Sequence, residues 1–292
     1  MFAPVADELE VADLAVTGAI PPALRGAYVR NGFNPAGRVP WHWFFGAGMV
    51  HGFEIADGGV SYRNRYVHTP YVDNDLDMME GIGDLTLSPA NTHIIEHAGR
   101  LLALEEAHFP YELDRELNTV GCFDFDGRLT TPMTAHPKVC PTTGELMFFG
   151  YQFMNEPWLT YHRVDAAGNL VQSEQIEIPN PIMMHDFAIT EHYSLFFDLP
   201  IVFSIDDGGF RFKREAGGRI GVMPRAGTNA DVKWFEVEPC TVFHSFNAYE
   251  RGDEIVLQVC RASSIMEHGM SDLGDQSTPW QWNLDLTTGR AT

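Results

Sequence analysis

This sequence predicts an all-β chain of the propeller type, and three observations carry the prediction. Short β-branched and aromatic runs alternate with Gly, Pro, Asp and Asn turns along nearly the whole chain. The runs fall into small clusters rather than one long meander, and a strand–turn–strand grammar recurs in GFEIADGGVSYRN, YHRVDAAGNLVQSE and WNLDLTTGRAT. Three histidines, His136, His185 and His244, lie 49 and 59 residues apart. A four-stranded propeller blade takes about 40–50 residues, so this spacing suits one histidine per blade, each pointing at a shared axis.

In chain order, the strand signals are GAYVRNG, MVHGFEIADGG, SYRNRYV, THIIEHAGR, LLALEEA, GELMFFGYQF, LTYHRVDAAGN, YSLFFDLPIVFS, RIGVMPR, VKWFEV and EIVLQVC. Asp57-Gly58, Asp126-Gly127, Gly168-Asn169 and Gly252-Asp253 mark hairpin turns, because these residues tolerate the positive φ that tight hairpin loops need. Asn31 and Asn34 in RNGFNP read as turn formers. Only VADLAV, PALRG and PYELDRELN suggest short helices. No Gly/Ser/Pro-rich linker divides the chain, so residues 1–292 read as a single domain. In WQWNLDLTTGRAT the strand that should pair with WNLDL is missing, and an unpaired edge invites aggregation. The expectation is an incomplete domain, cut short at its C-terminal side.

Composition bounds the function. With 292 residues, 45% hydrophobic and 20% charged, the chain can bury a sizeable core. Its net charge of −21 argues against nucleic acid, which needs a basic footprint, and against adhesion to anionic membranes through a basic patch. No window approaches 18 consecutive apolar residues, so no transmembrane helix is expected. The N-terminus lacks a basic stretch followed by an apolar run, so no signal peptide is expected either. Cys122, Cys140, Cys240 and Cys260 are scattered, in no metal-knuckle spacing, and read as buried free thiols of a cytoplasmic protein.

The histidines are the candidate chemistry. Neutral imidazole is the commonest protein ligand for a borderline metal such as Fe(II) or Zn(II). Any one of the 12 histidines taken alone is better read as a surface group or a satisfied core group. His136, His185 and His244 depart from that reading because their spacing and their flanking small and apolar residues agree jointly. Asp186 follows His185 directly, which opens two readings, a group that orients a ligand or a structural one; adjacent strand residues face opposite sides, so the structural role is favoured.

LRGAYVRNGFNPAG, followed by HWFFGAGMVHGFEIADGGVSYRNRYVHT, resembles the opening of carotenoid cleavage oxygenases. That family includes the bacterial lignostilbene dioxygenases and the retinoid isomerase of the eye. The AHPK, MMHDFAIT and VFHSFNAYE segments resemble its successive ligand motifs, in order and over nearly the whole chain. The resemblance implies a seven-bladed β-propeller with Fe(II) on its axis, held by four histidines, three of which match His136, His185 and His244. It also implies a glutamate that hydrogen-bonds a ligand imidazole, in an ALxEA segment matching Glu106 in LLALEEA. The implied reaction uses O2 to split a C=C bond of an apolar olefin, carotenoid-like or stilbene-like, into two carbonyl products. The implied partners are therefore that substrate and O2, with peripheral membrane contact to collect the substrate.

Two departures from the family pattern shape the expectation. Only 48 residues follow His244, and His268, the one histidine among them, sits in no matching motif. About four to five N-terminal blades are expected, with the fourth ligand absent. In the stilbene-cleaving branch a lysine precedes the ligand-bonding glutamate, whereas here that position is Glu105, read as a solvated charge. A carboxylate cannot donate to a phenolate, which favours carotenoid or apocarotenoid substrates. Phe44, Phe45, Met154, Trp158, Met183, Met184, Phe243 and Phe246 are candidates for an apolar tunnel. The runner-up reading is a truncated, inactive propeller fragment that binds at most an apolar ligand or a partner. A zinc hydrolase built on three histidines is a third, disfavoured because no general base stands out.

Overall fold

The computed structural model describes residues 4–37, 40, 42–76, 78–269, 271–272 and 274–292. Strands make up 44% of the chain and helices 5%, which makes it all-β. Contacts divide it into two compact units, Met1–Ala135 and His136–Thr292.

The first unit holds two four-stranded antiparallel sheets. One is built from β1 (Glu10–Val11), β2 (Gly26–Asn34), β3 (Ala47–Ala56) and β4 (Gly59–Tyr66), in the order β1-β4-β3-β2. The other runs β5 (His93–His97), β6 (Arg100–Leu104), β7 (Tyr111–Leu113) and β8 (Thr119–Cys122), in chain order. Asp57 and Gly58 both have positive φ, 52° and 80°, and close the β3–β4 hairpin in two residues as their types predict. Two single-turn helices, α1 (Pro70–Asp73) and α2 (Met78–Gly81), link the sheets; Thr69 Oγ1 caps α1 by accepting from Val72 N, with Pro70 as its first residue.

Asn31 and Asn34 are not turn formers. They lie inside β2, where Asn31 Nδ2 donates to the carbonyls of Ala90 and His93, at 2.8 and 3.1 Å. Those bonds tie β2 to the strand that opens the next sheet. Gly48 serves the same junction: its N–H donates to Pro89 O at 2.8 Å, and a Cβ there would land on the Ala90 carbonyl. The junction is sealed by Val50, Val67, Ala90, Ala103, Tyr111 and Leu113.

The second unit holds three more four-stranded sheets. The first contains β9 (Lys138–Val139), β10 (Leu146–Tyr151), β11 (Leu159–Val164) and β12 (Leu170–Gln175). The next contains β13 (Ala188–Ile189), β14 (Tyr193–Asp198), β17 (Arg219–Pro224) and β18 (Lys233–Glu236). A separate hairpin, β15 (Ile201–Ser204) and β16 (Gly209–Phe212), is inserted between β14 and β17. The last sheet contains β19 (Thr241–Arg251), β20 (Glu254–Ala262), β21 (Thr278–Asp285) and β22 (Arg290–Ala291). The first and last pair strands consecutive in the chain, as propeller blades do, and the middle one pairs β14 with β17 across the inserted hairpin. The described residues thus form five blade-like sheets, the upper end of the expected four to five. Strands β10 and β14 are buried along nearly their whole length, which explains why LMFFGY and YSLFFD read as unbroken apolar runs. Phe149, Tyr161, Phe196, Phe197, Phe235 and Leu257 centre one core shared by the three sheets.

Four local expectations are corrected. VADLAV starts in β1 and continues without helix, PALRG turns into β2, and PYELDRELN forms β7 and its following turn. A helix nucleus this short gains little, and Leu117 turns to φ 66° so that it and Leu113 reach the core. Asp126-Gly127 makes a turn with three consecutive positive φ values, from Phe125 to Gly127, but joins no hairpin. WNLDL is not unpaired: β21 lies between β20 and β22, the latter supplied by Arg290 and Ala291. All four cysteines are free, but Cys122 is exposed rather than buried.

Candidate metal centre

Each of the three histidines sits at the edge strand that opens a sheet of the second unit. His136 lies two residues ahead of β9, and Pro137 behind it biases its backbone to the extended region. His185 lies three residues ahead of β13, between Met184 and Phe187, whose side chains are buried in the core. His244 lies inside β19, where the register against β20 shifts twice, between Val242 and Ser245 and again between Ser245 and Asn247. A bulge of this kind bends a strand and re-aims the side chain it carries.

These placements bring the three rings together. Their centroids are 4.5 Å (His136–His185), 4.9 Å (His136–His244) and 5.0 Å (His185–His244) apart, in edge-to-face pairs. One nitrogen from each ring falls within 4.8 Å of the other two. His136 Nε2 and His185 Nε2 stand 2.9 Å apart, so at least one of them presents a lone pair. Two metal–imidazole bonds of about 2.1 Å meeting at a right angle would put their nitrogens about 3.0 Å apart. His136 and His185 are half-buried, and His244 is exposed. Phe243 packs its ring edge-to-face on His185 at 5.3 Å.

Electrostatics favours the ligand form. Burial pulls the His136 imidazole down to about 3, helped by the neighbouring His185, His244 and Lys138 and opposed by Asp186. A neutral ring at pH 7 is what a divalent ion requires. Three imidazoles with no carboxylate among them fit a borderline ion such as Fe(II) or Zn(II).

Asp186 is 2% exposed and bonded on both oxygens. Its Oδ1 accepts from Lys138 Nζ at 2.6 Å and from Phe187 N at 2.8 Å. Its Oδ2 accepts from Ser245 N at 2.9 Å and lies 3.0 Å from Ser245 Oγ. Lys138 and Ser245 escaped the sequence reading. A signal was present, since each of the three residues follows a candidate ligand by one or two positions.

Glu106 belongs to the first unit, just past β6, and is half-buried. Its neighbour Glu105 is not the solvated charge expected. The turn folds it back so that its Oε2 accepts from Ala107 N at 2.8 Å and meets His108 Nδ1 at 2.6 Å. Burial alone would push the Glu105 carboxyl up and the His108 ring down; the pair's mutual attraction reverses both shifts.

The tunnel candidates disperse. Met184 is buried in the core, whereas Met154 and Phe246 are 50% and 56% exposed. Phe44 and Phe45 belong to the first unit. An open cavity of about 400 Å³ in the second unit is lined by one of the candidates, Met154, together with Phe153, Pro181, Phe203 and Ile205, with Ser204 and Asp206 at its polar side. The Phe153, Phe203 and Phe210 rings pack mutually at 4.7–5.4 Å beneath it.

Comparison with known proteins agrees with this architecture. The family model described as retinal pigment epithelial membrane protein matches residues 2–292. A carotenoid 9,10(9',10')-cleavage dioxygenase of Crocus sativus is 40% identical over 89% of this chain and 55% of its own length. A carotenoid cleavage oxygenase of Mycobacterium tuberculosis is 35% identical over all of this chain and 70% of its own. The crystal structure of Pseudomonas brassicacearum lignostilbene dioxygenase superposes with a TM-score of 0.86 at 28% identity, covering 99% of this chain and 68% of that one. The chain thus spans a little over half the length of the Crocus sativus relative, and its sheets have the β-propeller fold of these neighbours. On fold, motif order and extent of match, the chain belongs to the family of the carotenoid cleavage oxygenases and the retinal pigment epithelial membrane protein.

Proposed function

We propose that this chain carries the metal-binding part of a non-haem Fe(II) dioxygenase that cleaves a C=C bond of a carotenoid, apocarotenoid or stilbene-type substrate with O2. The observation that carries the reading is the convergence of His136, His185 and His244, three imidazoles from three successive sheets. Those residues hold the ion, and bound Fe(II) supplies the site at which O2 is activated towards an electron-rich olefin, giving two carbonyl products. Uncharged ligands leave the ion its full Lewis acidity. By resemblance to the family, Glu106 takes a supporting role for the metal centre. In this reading residues 1–292 are part of a single propeller domain.

The substrate is apolar and is held by buried area, with few polar contacts. The cavity floored by Phe153 and Phe203 suits such a molecule, and Met154 and Ile205, 50% and 75% exposed at its rim, suit peripheral contact with a lipid surface. Among the described residues no helix is long and apolar enough to cross a membrane. Glu105, committed to His108, offers no cation to a phenolate, which favours carotenoid over stilbene substrates.

A second reading, a binding fragment without activity, draws on the exposure of His244, which leaves one side of the cluster open to water. Oxygen uptake by the iron-loaded chain on apocarotenoid and stilbene substrates, with mass-spectrometric identification of aldehydes, separates the two. The enzyme reading expects O2 consumption matched by paired carbonyl products and abolished by a chelator. Iron-loaded protein that yields no carbonyl product from either substrate class overturns it in favour of the fragment.

A further inference from the structure

We propose that Asp186 is the positioning residue of the metal centre, its carboxylate clamping together the three chain segments that present His136, His185 and His244. The proposal rests on the reading of those histidines as ligands. Its ground is a pattern of contacts: Asp186 adjoins His185, its Oδ1 holds Lys138, two residues after His136, and its Oδ2 holds Ser245, one residue after His244. One buried group therefore touches all three ligand segments.

The clamp answers a weakness in the fold. Strand β9 has only two residue pairs with β10, Lys138–Met147 and Val139–Leu146. Strand β13 likewise has two pairs with β14. In β19 the register shifts on both sides of Ser245, and the Ser245 N–H goes to Asp186 Oδ2. Strand pairing alone holds each ligand poorly at the point where it leaves its sheet. The carboxylate supplies a common anchor, and Ser245 Oγ, also 3.0 Å from Phe187 O, ties β19 to the segment entering β13.

The chemistry requires an acid rather than an amide. Three N–H donors converge on the two oxygens, from Lys138 Nζ, Phe187 N and Ser245 N, and Ser245 Oγ shares its one proton between Oδ2 and Phe187 O. A carboxylate accepts on both oxygens, whereas an asparagine must turn an NH2 group towards one pair of donors. The Lys138 ammonium, 27% exposed, neutralises the buried charge.

The test is a Co(II) titration of the full 292-residue chain, read by Kd and by visible absorption bands, with circular dichroism and thermal melting of the metal-free proteins alongside. Asp186→Asn is expected to stay folded, to raise the Co(II) Kd by roughly tenfold or more, and to change the band positions or intensities. Lys138→Met is expected to raise Kd several-fold, while Ser245→Ala, which keeps its N–H, shifts it least. An Asp186→Asn protein with lowered melting temperature but unchanged Kd and bands would make the residue merely structural and overturn the proposal. If Asp186→Asn does not fold, Lys138→Met decides: unchanged Kd and bands overturn the clamp, and a weakened, spectrally altered site supports it. Failure of the unsubstituted chain to bind Co(II) would instead sink the metal reading, and the clamp with it.

Discussion

Three imidazole rings meet at the candidate metal centre, and burial keeps that of His136 neutral at pH 7. His185, the second of the three candidate ligands in sequence, lies 2.9 Å from His136 nitrogen to nitrogen and 5.0 Å from His244 between ring centres. His185→Ala should abolish metal binding, measured as metal retained after desalting; retention at the unsubstituted level would misplace the centre. Glu106→Gln should weaken metal affinity by roughly 10-fold or more while leaving the melting temperature of the metal-free protein in place. Unchanged affinity would remove Glu106 from the site. His162 tests the electrostatics away from the metal. It is buried in β11, stacked on Phe148 at 4.7 Å, bonded through Nδ1 to Ser173 Oγ, and held down to about 3 by burial. The unfolded chain takes up a proton near pH 6.5 that the folded chain refuses until about 3. Stability must therefore fall as pH drops through that window, at up to about 1.4 kcal/mol per pH unit from this residue. His162→Asn, which keeps a hydrogen-bonding group for Ser173 without the titrating ring, should show a shallower acid limb in urea denaturation between pH 4 and 6. Identical limbs would contradict the assignment.

At the scale of the element, the strands beside the clustered histidines are short or bulged, and this is where the sequence was hardest to read. Hairpins were legible because their turns are chemical: Asp57-Gly58 adopts two positive φ values that few other residue pairs accept. The bulge around Ser245 was not legible, because nothing in VFHSFNAY distinguishes a shifted register from a continuous strand. Asn31 and Asn34 misled for a related reason. Their turn preference is local, but in β2 their side chains serve the carbonyls of other segments, and long-range satisfaction outweighs propensity. Glycine packing is equally invisible in sequence. Gly48→Ala should destabilise the chain by about 3 kcal/mol, because β3 and the Pro89–Ala90 segment approach backbone to backbone with no room for a methyl group. A change in the urea midpoint smaller than that of a surface Gly→Ala control would refute this packing.

For the molecule as a whole, the order of motifs was more informative than any single one. The three histidines recur at blade-length spacing, and each was found at the opening strand of its own sheet. That regularity made the histidine cluster legible from one sequence. The Asp186 bracket was not, because it joins residues 48 and 59 positions apart through contacts that only the folded sheets create. The cavity lining was legible only at Met154, for a similar reason: apolar type says that a side chain is buried, not which cavity it faces, and Phe153 and Ile205 carried no distinguishing signal. The most direct test of the whole account is the metal content of the purified chain, loaded anaerobically with Fe(II) and desalted. The account predicts close to one ion per chain, lost in His136→Ala, His185→Ala and His244→Ala alike. A folded, metal-free chain, or iron that survives all three substitutions, would contradict it.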